Sequence, residues 1–123
     1  MAISQTNFDI DQGTDFLLDV TLLDGNNVPI DISTAKVTGQ VRKTASSKEV
    51  EACFAVTPID LVLGKFTISL SALVTSQLKC APSNSAQRTI SQFAYDVEIH
   101  YSDGIVNRIL SGVLTVSPEV TRI

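Results

Sequence analysis

The stretch Phe93-Ala94-Tyr95-Asp96-Val97-Glu98-Ile99-His100-Tyr101 decides the fold. Phe93, Tyr95, Val97, Ile99 and Tyr101 fall on one side of an extended chain, and Ala94, Asp96, Glu98 and His100 fall on the other. Successive strand side chains project to opposite faces of a sheet, so this alternation specifies a strand with one greasy and one wet face. Half-wetted strands of that kind belong to antiparallel sheets packed on one side only. Asp103-Gly104 supplies a tight turn, and the chain then returns through a second alternating run that ends at Ser117-Pro118.

Working outward, the same period of two recurs. Phe8 and Ile10 alternate with Asp9 and Asp11 until Gly13 breaks the pattern, and Phe16, Leu18, Val20 and Leu22 follow before the turn-forming Asp24-Gly25-Asn26-Asn27. Val28-Pro29-Ile30-Asp31-Ile32 reads as a short edge segment, because Pro29 has no N–H for a ladder. Val37, Gly39 and Val41 make another strand, polar residues 43–48 a loop, and Val50, Ala52, Phe54 and Val56 one further strand. Pro58 and Gly64 bracket a turn before Phe66, Ile68 and Leu70. Leu70, Val74 and Leu78 recur every four residues, which predicts a short helical turn over Ser71 to Leu78 that bridges one sheet to the other. Cys80 to Gln92 is small and polar and reads as an exposed loop. Gly39 and Gly112, inside strands, predict bulges or the close approach of another backbone.

About seven short strands with turn chemistry between them predict an all-β, immunoglobulin-like antiparallel β-sandwich with one short helical turn. The Cys…Trp…Cys signature of antibody domains is missing, since the chain has no Trp. With 123 residues and no linker-like stretch, residues 1–123 read as a single domain. Hydrophobic residues make up 44% and charged residues 18%, a globular composition, and no apolar run approaches the roughly 20 residues of a membrane-spanning helix. No membrane insertion is expected. The first residues carry neither a basic nor an apolar stretch, so the chain reads as made and left in a cytoplasm.

A net charge of −4 opposes binding to a phosphate backbone, and nucleic acid is not an expected partner. Cys53 and Cys80 lack metal-ligand spacing and read as two thiols, Cys53 on the polar side of its strand. Asp96, Glu98 and His100 share one face of one strand at about 7 Å between successive members. As a metal site this set would need Glu119 or Asp103 to complete it; otherwise it is a solvated face. His100 is the sole histidine, and no nucleophile elbow accompanies it. The glycines follow no phosphate-loop spacing, Tyr95 and Tyr101 share the core face, and the aspartates from Asp11 to Asp31 read as turn-forming or solubilising groups. No catalytic, cofactor-binding or metal-ligating set is therefore assigned, and no cofactor is expected.

Several segments together carry a resemblance: Asp11-Gln12-Gly13-Thr14-Asp15-Phe16, Asp31-Ile32-Ser33, Gly39-Gln40-Val41-Arg42-Lys43, Gly64-Lys65-Phe66-Thr67-Ile68-Ser69-Leu70, Tyr95-Asp96-Val97-Glu98-Ile99, Asp103-Gly104, Arg108-Ile109-Leu110-Ser111-Gly112 and Val116-Ser117-Pro118-Glu119-Val120-Thr121-Arg122. The chain resembles small virion structural proteins of tailed bacteriophages, especially contractile-tailed phages of cyanobacteria. It is similar, more distantly, to the N-terminal domain of phage baseplate upper proteins. The resemblance implies a non-enzymatic β-sandwich assembled in the host cytoplasm into the tail, baseplate or fibre attachment of a virion, with capsid decoration as the alternative placement. Its partners would be other virion structural proteins, including copies of itself. The extra loop from Cys80 to Gln92 departs from the family's shorter pattern. The expected contacts are sheet edges and the tail Glu119, Val120, Thr121 and Arg122, which would pair by strand addition. A competing reading is a carbohydrate-binding module at a fibre tip using Asn84, Gln87 and Arg88.

Overall fold

A computed structural model describes residues 4–78 and 91–118. The deciding hairpin forms as its alternation predicts. Strands β8 (Ser91–His100) and β9 (Val106–Ser117) pair antiparallel, with Phe93 opposite Leu114 and Val97 opposite Leu110. Phe93, Tyr95, Val97 and Ile99 are all buried. The two strands turn at Tyr101–Ile105, where the Asp103 carboxylate accepts from the Ile105 N–H at 3.0 Å. One residue of β9, Ile109, has no partner opposite, and this bulge turns its side chain into the core. The bulge sits three residues before the glycine at which the sequence suggests one.

Strand β4 (Lys36–Arg42) lies antiparallel on the other side of β8, and β5 (Ala52–Cys53) lies beside β4. On the far side of β9, β1 (Ser4–Gln5) and β2 (Phe8–Asp11) form one interrupted edge that runs parallel to β9. The sheet is thus mixed where a purely antiparallel one is expected. Alternation fixes which face Phe8 and Ile10 present but says nothing of strand direction. A parallel pair only requires a long crossover, and here almost the whole chain lies between β2 and β9.

The second sheet is smaller, in the order β3 (Phe16–Thr21), β7 (Lys65–Leu70), β6 (Ala55–Asp60), antiparallel throughout. Phe66, Ile68 and Leu70 meet the buried face of the larger sheet in one continuous hydrophobic core. The molecule is an all-β sandwich of immunoglobulin-like form.

Two expectations need correction in detail. The run from Val50 to Val56 is not one strand: β5 belongs to the large sheet and β6 to the small one, and the chain changes sheets at Phe54. Phe54 N–H still donates to the Gly39 carbonyl at 2.9 Å while its ring enters the core, so the period of two continues unbroken through the crossing. Pro58 does not open a turn but sits inside β6, tolerated because this is an edge strand whose outer side needs no donor. The turn comes later, as a single 3₁₀ turn at Leu61–Leu63 closed by Gly64 at φ 70°.

The Val28–Ile32 segment makes only an isolated bridge, Leu23 to Pro29. It crosses one end of the sandwich, where Ile32 is buried and its N–H donates to the Leu61 carbonyl at 2.9 Å. The predicted helical turn is present as α1 (Ala72–Ser76).

Candidate interaction surfaces

On the outer face of the large sheet, β8 projects Asp96, Glu98 and His100 side by side. His100 Nε2 lies 3.5 Å from Glu98 Oε1 and 3.2 Å from Thr38 Oγ1, and Arg108 Nε lies 3.4 Å from Asp96 Oδ2. These are exposed or half-exposed pairs lying along the sheet. Such pairs contribute only about 0–1 kcal/mol each. Of the two residues either of which could complete a metal set, Asp103 is committed to the hairpin turn and Glu119 lies outside the described residues. Among the described residues no group of three or more His, Cys, Asp or Glu side chains is placed to hold a metal ion. Cys53 is exposed on β5, as its position on the polar side predicts, and Cys80 lies outside the described residues.

A shallow polar concavity of about 780 Å³ occupies this face, lined by Gln5, Gln40, Arg42, Asp96, Arg108 and Ser111 among others. The Arg42 guanidinium donates to the carbonyls of Ser47 and Lys48 and to Gln40 Oε1, at 2.7, 3.0 and 2.9 Å. It fastens the loop after β4.

Tyr95 faces inward, as expected. Its hydroxyl donates to the Thr6 carbonyl at 2.6 Å, and burial pushes the phenol's pKa up to about 12. Thr6 lies in the break between β1 and β2. There the Thr6 N–H donates to Ser111 O, and the Asn7 side-chain carbonyl takes the Val113 N–H at 3.0 Å. Gly112 lies beneath: a Cβ at that position would come within 2.1 Å of the Thr6 carbonyl oxygen. The close approach of backbone expected at Gly112 is thus the inward fold of the edge strand. At Gly39 both a side chain and a backbone approach, with Phe54 Cδ2 2.8 Å and the Asp96 carbonyl oxygen 3.2 Å from where a Cβ would stand.

A second concavity lies along the open side of the sandwich, between β3 and the β2–β9 edge. Leu18, Val20 and Leu22 line it from the small sheet, and Phe8, Ile109 and Leu110 from the large one, enclosing about 700 Å³. Asp19 and Asp24 also line it, and among the described residues no Lys, Arg or His does. Sequence reading did not isolate this groove, since its two walls come from segments some ninety residues apart. A signal was present nonetheless. Between residues 4 and 35 the chain has Asp9, Asp11, Asp15, Asp19, Asp24 and Asp31 and not one basic residue.

At one end of the molecule a polar cluster joins the β2–β3 turn to α1. Gln12, buried, donates from Nε2 to the carbonyls of Leu78 and Ser76 at 3.0 and 3.3 Å. The buried Thr75 hydroxyl donates to Thr14 O at 2.7 Å and accepts from the Gly13 N–H at 3.1 Å. Asp15 accepts from the Ala72 N–H at 2.7 Å and so caps the helical turn together with Ser71. Asp31 also has a local task, because hydrogen bonds from Ser33 hold its carboxyl below the usual carboxylate range. The expectation that these aspartates serve turns holds for Asp15, Asp24 and Asp31.

The candidate contact residues Asn84, Gln87 and Arg88, and the tail residues Glu119, Val120, Thr121 and Arg122, lie outside the described residues. Among the described residues no helix is long and apolar enough to cross a membrane.

No protein-family model matches this chain, and no curated protein does. Solved structures with a similar course include CopC from Methylosinus trichosporium OB3b, at 10% identity and TM-score 0.43 over 94% of this chain and 89% of that one. Murine CRIg is similar at 10% identity and TM-score 0.41, over 92% of each chain. A family 123 glycoside hydrolase from Clostridium perfringens matches at 10% identity and TM-score 0.40, with all of this chain covering 24% of that one. Likeness at this level concerns chain course alone.

Proposed function

We propose that this chain is a non-enzymatic assembly module, a β-sandwich adaptor of a tailed-phage virion that joins neighbouring proteins through its sheet edges. The placement in a virion rests on the resemblance of residues 11–16, 39–43, 64–70 and 95–122 to small virion structural proteins. The observation that carries the adaptor role is the open side of the sandwich, where the β3 edge runs beside an apolar groove of about 700 Å³. Unpaired edge N–H and C=O groups can pair with an incoming strand, and the groove offers that strand's side chains apolar surface to bury. The tail, baseplate and fibre attachment are the proposed places, and the capsid surface is the alternative.

The test is mass spectrometry of purified particles from the phage that encodes the chain, followed by localisation in a particle reconstruction. Finding the chain at stoichiometric copy number supports the reading, and its absence from washed, infectious particles refutes it. The polar concavity over Gln40, Asp96 and Arg108 favours a second reading, a carbohydrate-binding module, because its hydrogen-bonding groups suit sugar hydroxyls. Retention of the purified protein on a glycan array would favour that reading over the first.

A further inference from the structure

Among the described residues the sandwich has four sheet edges, and they differ in how they are guarded. Native proteins protect edges against stray pairing with prolines, bulges, short strands and charges. The β6 edge carries Pro58 and a register break at Ile59, the β5 edge is two residues long, and the β1–β2 edge is interrupted at Thr6 and Asn7. Strand β3 has no proline and no bulge, runs six residues, and carries a single charge, Asp19. Phe16 to Thr21 pair with β7 in one unbroken register, and among the described residues nothing pairs with the opposite side of β3. Its outward side chains are Leu17, 69% exposed, followed by Asp19 and Thr21; its inward ones, Leu18 and Val20, are half-buried walls of the groove.

We propose that β3 is the docking edge of the molecule and that its partner is an extended segment of another protein in which apolar residues alternate with Lys or Arg. This rests on the assembly reading above and adds the site and the chemistry of the partner. A strand added to β3 places every second side chain in the groove, against Leu18, Val20, Phe8 and Leu110, which selects apolar residues there. The intervening side chains lie beside Leu17 and Asp19 on the outer face. The Asp19 carboxylate, which also accepts from the Thr67 hydroxyl at 2.7 Å, selects a basic side chain at those positions, since Asp24 also lines the groove and no cation does so among the described residues. Pairing of β3 with the same strand of a second copy would instead bring acidic edges together, which like-charge repulsion opposes.

The test is an amide-exchange and chemical-shift titration of the isotopically labelled full chain with two short peptides, one alternating valine and lysine, the other alternating valine and glutamate. The expected result is slowed exchange over Phe16–Thr21 with the lysine peptide, and binding on the order of tenfold weaker for the glutamate peptide. Asp19→Lys should invert that preference, and Asp19→Asn should flatten it if the charge reversal disturbs the fold. Equal binding of both peptides, binding of neither, or protection that maps to another edge would overturn the proposal. Protection of β3 without peptide would also overturn it, a second copy being the occupant if it depends on concentration and the chain's own residues if it does not. A chain present in particles whose β3 fails to bind loses this inference alone; a chain absent from particles loses the assembly reading whatever β3 binds.

Discussion

The two long sides of the sandwich are closed by different means. On one side the chain itself passes from sheet to sheet: β5 and β6 meet at Phe54, whose ring stands 5.9 Å from Tyr95 and 6.4 Å from Phe16 and so touches both layers. Covalent continuity and a buried aromatic seal that side. On the other side β2 and β3 are joined only at one end, by the turn around Gln12 and Gly13, and the sheets then diverge along a groove. Phe8 bridges the near part of this side, 5.4 Å from Phe16 and 5.9 Å from Tyr95. A side closed by the chain is stable without a partner, whereas a side closed only by edges leaves main-chain groups for one.

The sharpest way to break this contrast is Phe54→Ala. It removes the plug of the closed side and should destabilise the domain by about 3–5 kcal/mol, the range for deleting a buried phenylalanine. Chemical denaturation measures the loss. A cost near that of a surface substitution would mean the crossing, and not the ring, holds the sheets together there.

Gly112→Ala strikes the open side. The added carbon meets the Thr6 carbonyl, so the interrupted edge strand must move outward, at a cost of about 1–3 kcal/mol typical of overpacking. Amide exchange should accelerate at Thr6 and Val113 while β3 and β7 keep their protection. Uniform acceleration across both sheets would show that the edge strand and the small sheet form one cooperative unit.

Tyr95→Phe sharpens the comparison most gently. It deletes the hydroxyl that donates to Thr6, worth about 1 kcal/mol for a neutral hydrogen bond. The pH dependence distinguishes this bond from packing alone. The folded phenol titrates at about 12 against 10 for a free tyrosine, so the fold favours the neutral form. Its contribution is complete below pH 10 and disappears as pH rises through about 12. The phenylalanine variant should lack that component of alkaline destabilisation, as read from denaturation midpoints in alkaline buffers. Identical alkaline profiles for the two proteins would place the sensitivity elsewhere.

Alternation made the strands legible because the inward set Phe93, Tyr95, Val97 and Ile99 is a direct image of a half-buried sheet. It could not show that Ala52 and Val56 serve different sheets, since the period of two runs through Phe54 without a slip. Nor could it separate Pro58 in an edge strand from Pro58 in a turn, because the missing N–H suits both. The polar tie of Gln12 and Thr75 was invisible for another reason: its partners are carbonyls sixty residues away, and main-chain groups leave no mark in a sequence.

By itself, the sequence determined the kind of element and the face each residue presents, because side-chain direction along a strand follows from local stereochemistry alone. Only the tertiary structure decided which strands became edges, that β2 runs parallel to β9, and that residues 8, 18, 20, 109 and 110 share one groove. Those outcomes depend on which distant segments find one another, and they are settled by the total area buried in the core and by the main-chain donors and acceptors left to be paired.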